Sequence, residues 1–433
     1  MRLVNVAKDG WLAAQNAVQR SVQDAPPGLV QTVHEIIVEV RRRGDDALLE
    51  LGRRFDAPGL ASLEVQPKEW DAACAELDEA DRRVMDRAAA SIEHFHRRQV
   101  RSGWFEAGEG TFVGQVIAPL NRVGIYVPGG RAAYPSSVLM TAIPASVAGV
   151  RDIVVCTPAR QDGTIAPAVL YAAKVAGVSR VFKIGGAQAV AAMAFGTQSV
   201  PAVDKVVGPG NLYVNLAKKE LWGVVDMDML AGPSEVCIVA DESAPSAFVA
   251  ADLLTQVEHD PDCAAFLLTP SAQLVQDVLA HIAAQMEALP RREILSKALA
   301  TNGVAVVTDT LDQAVELANL CAPEHLTLMV RDAWRWLGSI HNAGAVLLGE
   351  YTPQTLGDYY AGPSHTLPTG GTARFASPLN VDTFMKKTSV ISYNSQALAE
   401  CADLLAHFAR LEGFEAHARA VEIRQRHSEP HSS

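Results

Sequence analysis

The chain has 433 residues, of which 37 are basic and 49 acidic, for a formal net charge of −12. That length exceeds what one hydrophobic core usually supports, so two or more domains are expected. An acidic balance without a basic stripe interleaved with aromatics excludes nucleic acid as the expected partner, and the charge serves solubility.

The opening MRLVNVAKDGWLAAQNAV is broken by Lys8 and Asp9 and holds no signal-peptide core, and no apolar run is long enough to cross a bilayer. A cytoplasmic protein, away from membranes, is the expectation. Residues 1 to about 100 read as helical, because Leu29 to Val40 repeats its apolar positions at helical spacing and Glu69 to Gln99 is Ala-rich, charged and free of Gly and Pro. From Val123 the pattern changes to short β-branched runs closed by Gly or Pro and followed by Ala-rich helices: RVGIYVPGG, DIVVCTPA, RVFKIGG, DKVVGPGN, VCIVAD, AAFLLTP, GVAVVTD and AGAVLLG. Each fits a buried strand of a parallel sheet, and the alternation predicts a doubly wound α/β architecture. The units before and after about residue 235 suffice for two separate sheets. After Lys386-Lys387 the strand signal stops, Ser395 to Gln425 reads as helix, and the tail HSEPHSS reads as disordered.

Six cysteines (Cys74, Cys156, Cys237, Cys263, Cys321 and Cys401) are scattered without a Cys-x-x-Cys pair, which indicates neither a disulfide framework nor a thiolate zinc site. Cys321 stands three residues before Glu324, yet no flanking signature marks it as a nucleophile, so it reads as a core thiol.

Three glycine-rich turns follow strands. Gly208-Pro209-Gly210-Asn211 precedes a helical stretch, where backbone amides suit a phosphate, but Tyr213 breaks the dinucleotide fingerprint. Tyr126-Val127-Pro128-Gly129-Gly130 and Gly185-Gly186-Ala187-Gln188 resemble it. Tight turns explain the glycines, whereas Tyr126, Gln188 and Asn211 beside them suit a planar or sugar-bearing ligand at the carboxyl edge of a sheet.

Ser246 to Asp260 reads as a helix with Ser246 as N-cap and Pro261 as stop, placing Gln256 and His259, three apart, on one face. Pro323 is a natural first helical position and would present Glu324 and His325 at a helix start, as a carboxylate and imidazole fit for acid/base work near neutral pH. Asp358 lies in the loop Leu-Gly-Asp-Tyr-Tyr, and His417 follows Glu412 by five residues on the last helix. Two imidazoles, a carboxylate and an amide oxygen are acceptable zinc ligands, but spacing alone leaves open whether they converge.

The segments NRVGIYVPGGRAAYPSSVLM, KIGGAQAVAAMAFGT, VVGPGNLYVNLAKK, DMLAGPSEV, AADLLTQVEHDPD, CAPEHL, GDYYAGPSHTLPTGGTARF and LEGFEAHARAVEIR resemble the histidinol dehydrogenase family in order and spacing from about residue 120 to the end. The resemblance implies two incomplete Rossmann-like parallel-sheet domains with small helical terminal regions. In that layout residues 1–25 form an N-terminal helical segment, 26–122 with 236–382 form the domain holding zinc and the catalytic residues, 123–235 bind NAD, and 383–433 form a tail that serves the partner's site. It implies a homodimer oxidising L-histidinol to L-histidine through the aldehyde, with Zn2+ and NAD and two hydride transfers. Gln256, His259, Asp358 and His417 look like its zinc ligands, and Glu324 and His325 like its catalytic pair. Tyr126, Gln188 and Asn211 resemble the NAD contacts. Ser234 and Glu412 resemble substrate-binding positions, to which the family adds Gln256, His259, His325, Asp358 and His417. One position departs from the pattern: Ser364 stands before His365 where Asn is most common. Relatives on this scaffold oxidise other primary alcohols, including 2,3-dihydroxypropane-1-sulfonate, whereas the Glu412 carboxylate suits a cationic substrate.

Overall fold

The structure, a computed structural model, describes residues 1–20, 25–129 and 133–428. Of the tail HSEPHSS expected to be disordered, His427 and Ser428 instead close the helix Glu415–Ser428; residues 429–433, like Gly130 of the first glycine turn, lie outside the described residues. In chain order the strands are β1 (Arg2–Asn5), β2 (Trp104–Ala107), β3 (Thr111–Pro119), β4 (Arg122–Tyr126), β5 (Asp152–Thr157), β6 (Arg180–Lys183) and β7 (Lys205–Val207). They continue as β8 (Asp226–Met227), β9 (Glu235–Ala240), β10 (Ala264–Thr269), β11 (Gly303–Val307), β12 (His325–Met329), β13 (Ala345–Leu348) and β14 (Met385–Tyr393).

Two compact units result. The larger, formed by Met1–Gln99 and Leu120–Phe384, contains two parallel sheets. One has six strands in the order β1-β11-β10-β9-β12-β13 and the other five in the order β6-β5-β4-β7-β8, so the α/β reading with two sheets holds. The runs that read as buried strands do so because both faces are covered. On β9, Val236 and Ile238 join a core with the helix Ser246–Val257, while Cys237 and Val239 join a second core with the helix Leu311–Cys321 on the opposite face. Each fully buried aliphatic side chain there contributes roughly 1.5–3 kcal/mol from apolar burial.

The smaller unit, Val100–Pro119 with the chain from Met385 onward, holds an antiparallel sheet in the order β14-β3-β2 and the paired helices Ser395–Leu411 and Glu415–Ser428. Its strands correct the sequence reading. β14 continues through Lys386-Lys387, because an edge strand with an exposed face tolerates lysine and shows no buried-strand signature. β1 also escaped notice, since four residues against the edge of a sheet carry no period. The cysteines of the described chain are all free, and five of the six are buried. Among the described residues no helix is long and apolar enough to cross a membrane.

Candidate functional site

The candidate functional side chains gather at opposite edges of the two sheets. Tyr126 ends β4, Gly185 and Gly186 follow β6, and Gly208 follows β7, all at the carboxyl edge of the five-stranded sheet, as the α/β ligand rule expects. The Gly208 turn is held from behind: Gly208 N donates to Asp228 Oδ2 at 2.7 Å, and its carbonyl accepts from the buried Lys218 ammonium, itself 2.7 Å from Asp228 Oδ1. Gly208 has φ +107, and a Cβ there would collide with the Tyr126 carbonyl, so only glycine fits. Tyr126 Oη accepts the Gly186 amide at 3.2 Å, and burial pushes its phenol up to about 12, so it stays a neutral donor. Gln188 is buried in the first turn of the helix Gly186–Phe195 and folds back over Gly186. Asn211 is the N-cap of the helix Leu212–Leu221, its oxygen accepting the Val214 amide at 3.2 Å, which leaves its amide nitrogen for other partners.

Asp56, at the carboxyl end of the helix Asp45–Phe55, was missed by the sequence reading. Its carboxylate accepts the Gly185 amide and lies beside Tyr126, and burial pushes it up to about 6. Some 130 residues separate it from the turn it serves, so no local spacing signals it.

The candidate acid/base residues, Glu324 and His325, sit at the amino edge of the six-stranded sheet. Pro323 does not start a helix as expected: the helix Leu311–Cys321 ends in left-handed Ala322, and Glu324 leads directly into β12, which begins at His325. Both parallel neighbours of β12 hold His325 in register, opposite Val236 and Ala345. Glu324 Oε2 accepts the Glu235 amide at 3.0 Å and is hydrogen-bonded by the Ser234 side chain. His325 Nδ1 lies 3.8 Å from Glu324 Oε2, a charge contact too long for a hydrogen bond, and its Nε2 lies 3.5 Å from Asp358 Oδ1. Burial raises the Glu324 carboxyl despite the opposing charge of His325. Burial also works against charging His325, but Glu324 and Asp358 outweigh it and hold the imidazole above its ordinary value. Behind the pair, burial and the Glu324 charge push Glu235 up to about 7 against Arg20, whose Nε is 3.4 Å away.

Asp358 belongs to the short helix Gln354–Tyr359 and not to a loop. Burial opposes its ionisation, yet the hydrogen bond and charge of His325, with the charges of His365 and His259, hold its carboxyl below the usual range. The helix Ser246–Val257 stops three residues sooner than expected and starts after Pro245, so His259 lies beyond it in a turn. Gln256 is on the last turn, buried, and its Oε1 accepts Nε2 of Gln354 at 2.7 Å, a partner the sequence reading did not find.

Gln256, His259 and Asp358 offer one nitrogen and two kinds of oxygen donor, an incomplete tetrahedral set, and the Gln354 and Thr366 side-chain oxygens nearby in sequence are buried without partners. This donor chemistry fits zinc with a ligand still to be supplied. Among the described residues no group of three or more His, Cys, Asp or Glu forms a metal cluster by itself. His417 and Glu412 belong to the smaller unit, at the corner between its two helices, and both are exposed. Cys321 is buried against Cys237, and that hydrogen bond together with burial raises its thiol well above the ordinary value, as befits a core thiol.

The histidinol dehydrogenase family model matches residues 18–425. A histidinol dehydrogenase of Moorella thermoacetica is 53% identical over 404 residues, 93% of this chain and 95% of that protein. One from Halalkalibacterium halodurans is 50% identical over 393 residues, 90% of this chain and 93% of its own length. The crystal structure of histidinol dehydrogenase from Elizabethkingia anophelis superposes with a TM-score of 0.93 at 37% identity, covering 99% of this chain and 98% of that one. On sequence, length and fold together, the chain belongs to the histidinol dehydrogenase family.

Proposed function

We propose that this chain oxidises L-histidinol to L-histidine through L-histidinal in two NAD-linked steps with zinc. The observation that carries the reading is the buried row Glu324, His325, Asp358, two carboxylates flanking one imidazole, in a chain about half identical to histidinol dehydrogenases along nearly its whole length. Membership of the family makes the chain an NAD-dependent oxidoreductase.

Gln256, His259 and Asp358 would hold zinc, with His417 as fourth ligand, and Tyr126, Gln188 and Asn211 would contact NAD. When bound, zinc supplies a Lewis acid that positions and polarises the substrate, and NAD supplies the hydride acceptor. His325 takes the substrate hydroxyl proton, and the imidazolium is stabilised from both sides by Glu324 and Asp358. Glu324, its carboxyl raised by burial and so a stronger base than an exposed carboxylate, would accept a proton from water and generate the nucleophile for the second half. Ser234, bonded to Glu324, and Glu412 bind substrate.

Glu412 and His417 are read as serving the partner subunit. The smaller unit supports this, since its helix pair exposes Leu404, Phe408, Leu411, Phe414 and Ile423, more apolar surface than a lone module normally leaves in water. A cytoplasmic homodimer without nucleic-acid or membrane partners is the corresponding setting. The test is stoichiometric: purified protein with zinc and excess NAD should form two NADH per L-histidinol consumed. One NADH, or none with this substrate but turnover of a sulfonated diol, would overturn the assignment.

A further inference from the structure

The helix Pro135–Ala148, which follows the Tyr126 turn, contains Pro144 in its interior. Proline has no amide hydrogen, so the carbonyl four residues earlier, on Met140, loses its helical donor. The helix is buried on nearly all sides there, where an open carbonyl is costly. Ser364 supplies the donor: its hydroxyl, 3% exposed, donates to Met140 O at 3.1 Å and accepts the Thr366 amide at 3.2 Å. Both bonds bracket His365. That imidazole has Nδ1 at 2.9 Å from the Asp358 carbonyl, which can only accept, so Nδ1 carries the hydrogen. Nε2 is then the acceptor, 3.4 Å from the Ser137 hydroxyl on the first turn of the same helix. Gly362, at φ +112, lets the loop pass where a Cβ would lie 2.8 Å from the Ser91 carbonyl.

We propose that Ser364 is a positioning residue: its hydroxyl closes the carbonyl that Pro144 leaves open, and so fixes the neighbouring His365, with Nε2 as acceptor, beside Asp358. Its side chain is turned to the helix, so this departure from the family pattern bears on how the site is held and not on which alcohol it selects. The inference rests on the dehydrogenase reading for its kinetic arm only.

The experiment compares wild type with Ser364→Ala, Ser364→Asn, Pro144→Ala and the Ser364→Ala/Pro144→Ala double variant by thermal unfolding and by steady-state kinetics on L-histidinol with zinc and NAD. Ser364→Ala should lower kcat/KM about tenfold by loss of one buried hydrogen bond, and Ser364→Asn, which keeps a donor, should restore most of it. Pro144→Ala returns an amide hydrogen to Met140, so the Tm loss caused by Ser364→Ala should shrink by at least half in that background, while the kinetic defect persists because the loop is still untethered. An equal Tm loss in both backgrounds, or kinetic constants unchanged by Ser364→Ala, would overturn the proposal. If wild type does not oxidise L-histidinol, the functional reading fails, whereas the thermal comparison still decides the Ser364 contact.

Discussion

Gln354 donates from Nε2 to Oε1 of Gln256 at 2.7 Å, with both side chains buried. A carbonyl oxygen has two lone pairs, so this bond orients the Gln256 amide and leaves one lone pair free for a cation. Partners that orient a metal ligand typically govern affinity by about 10–100-fold. Gln354→Leu should therefore weaken zinc binding by about that factor in competition with a chromogenic chelator, with the circular dichroism spectrum unchanged. Wild-type zinc affinity in this variant would remove Gln256 from the ligand set.

What the sequence disclosed and what it hid follow from the range of the forces involved. The strands β4 to β7, β9, β10 and β11 were legible because burial on both faces leaves a continuous apolar run closed by Gly or Pro, and the edge strand β13, though only partly buried, carries the same apolar run. β12 was misread, since Pro323 and the pair Glu324-His325 carry helix-start chemistry, and only its neighbours β9 and β13 decide that His325 begins a strand. Gln256, His259, Glu324, His325 and Asp358 stood out by residue type and spacing, family resemblance supplied their roles, and the larger unit links Glu324, His325 and Asp358 directly. Asp56, Gln354 and Ser137 stayed invisible, because their meaning lies in contacts across about a hundred residues or more, for which spacing carries no signal.

Asp56 gives a pH prediction. Its carboxyl is pushed up to about 6 from 3.8 by burial, so folding favours its protonated form. A raised folded value means that the stability is fully present below the unfolded pKa and is lost as pH rises through the folded one, here between about pH 4 and pH 6. Asp56→Asn keeps an acceptor for Gly185 and removes the titration. Relative to wild type it should gain about 1–2 kcal/mol by pH 8, a figure discounted because the group is partly solvated, with no gain at pH 4. Urea unfolding across that range checks it; a difference that does not change with pH would dismiss the burial argument.

The partition of the site between subunits is testable by mixing. His259→Asn and His417→Ala should each be inactive alone. If His417 serves the partner's site, a hybrid dimer contains one site with both lesions and one with neither. Unfolding the two variants together and refolding should then recover about a quarter of wild-type activity, since half the dimers are hybrids with one intact site each. A site built within one chain would carry one lesion in every copy and recover nothing.

Glu324 and His325 should fail differently. His325 is held by carboxylates on both sides and, in the proposed mechanism, takes a proton in both halves of the reaction, so His325→Asn should lower the formation of the first NADH by about 10²–10⁴-fold. In that mechanism Glu324 is needed chiefly where water is activated. Glu324→Gln keeps the acceptor for the Glu235 amide and removes the base, so it should still deliver the first NADH while the second becomes slow. In a single-turnover experiment with L-histidinol, Glu324→Gln should give a burst near one NADH per site and accumulate L-histidinal, trapped by a hydrazine. Equal loss of both hydride transfers would mean that Glu324 acts from the first step, through the charge it places 3.8 Å from His325 Nδ1.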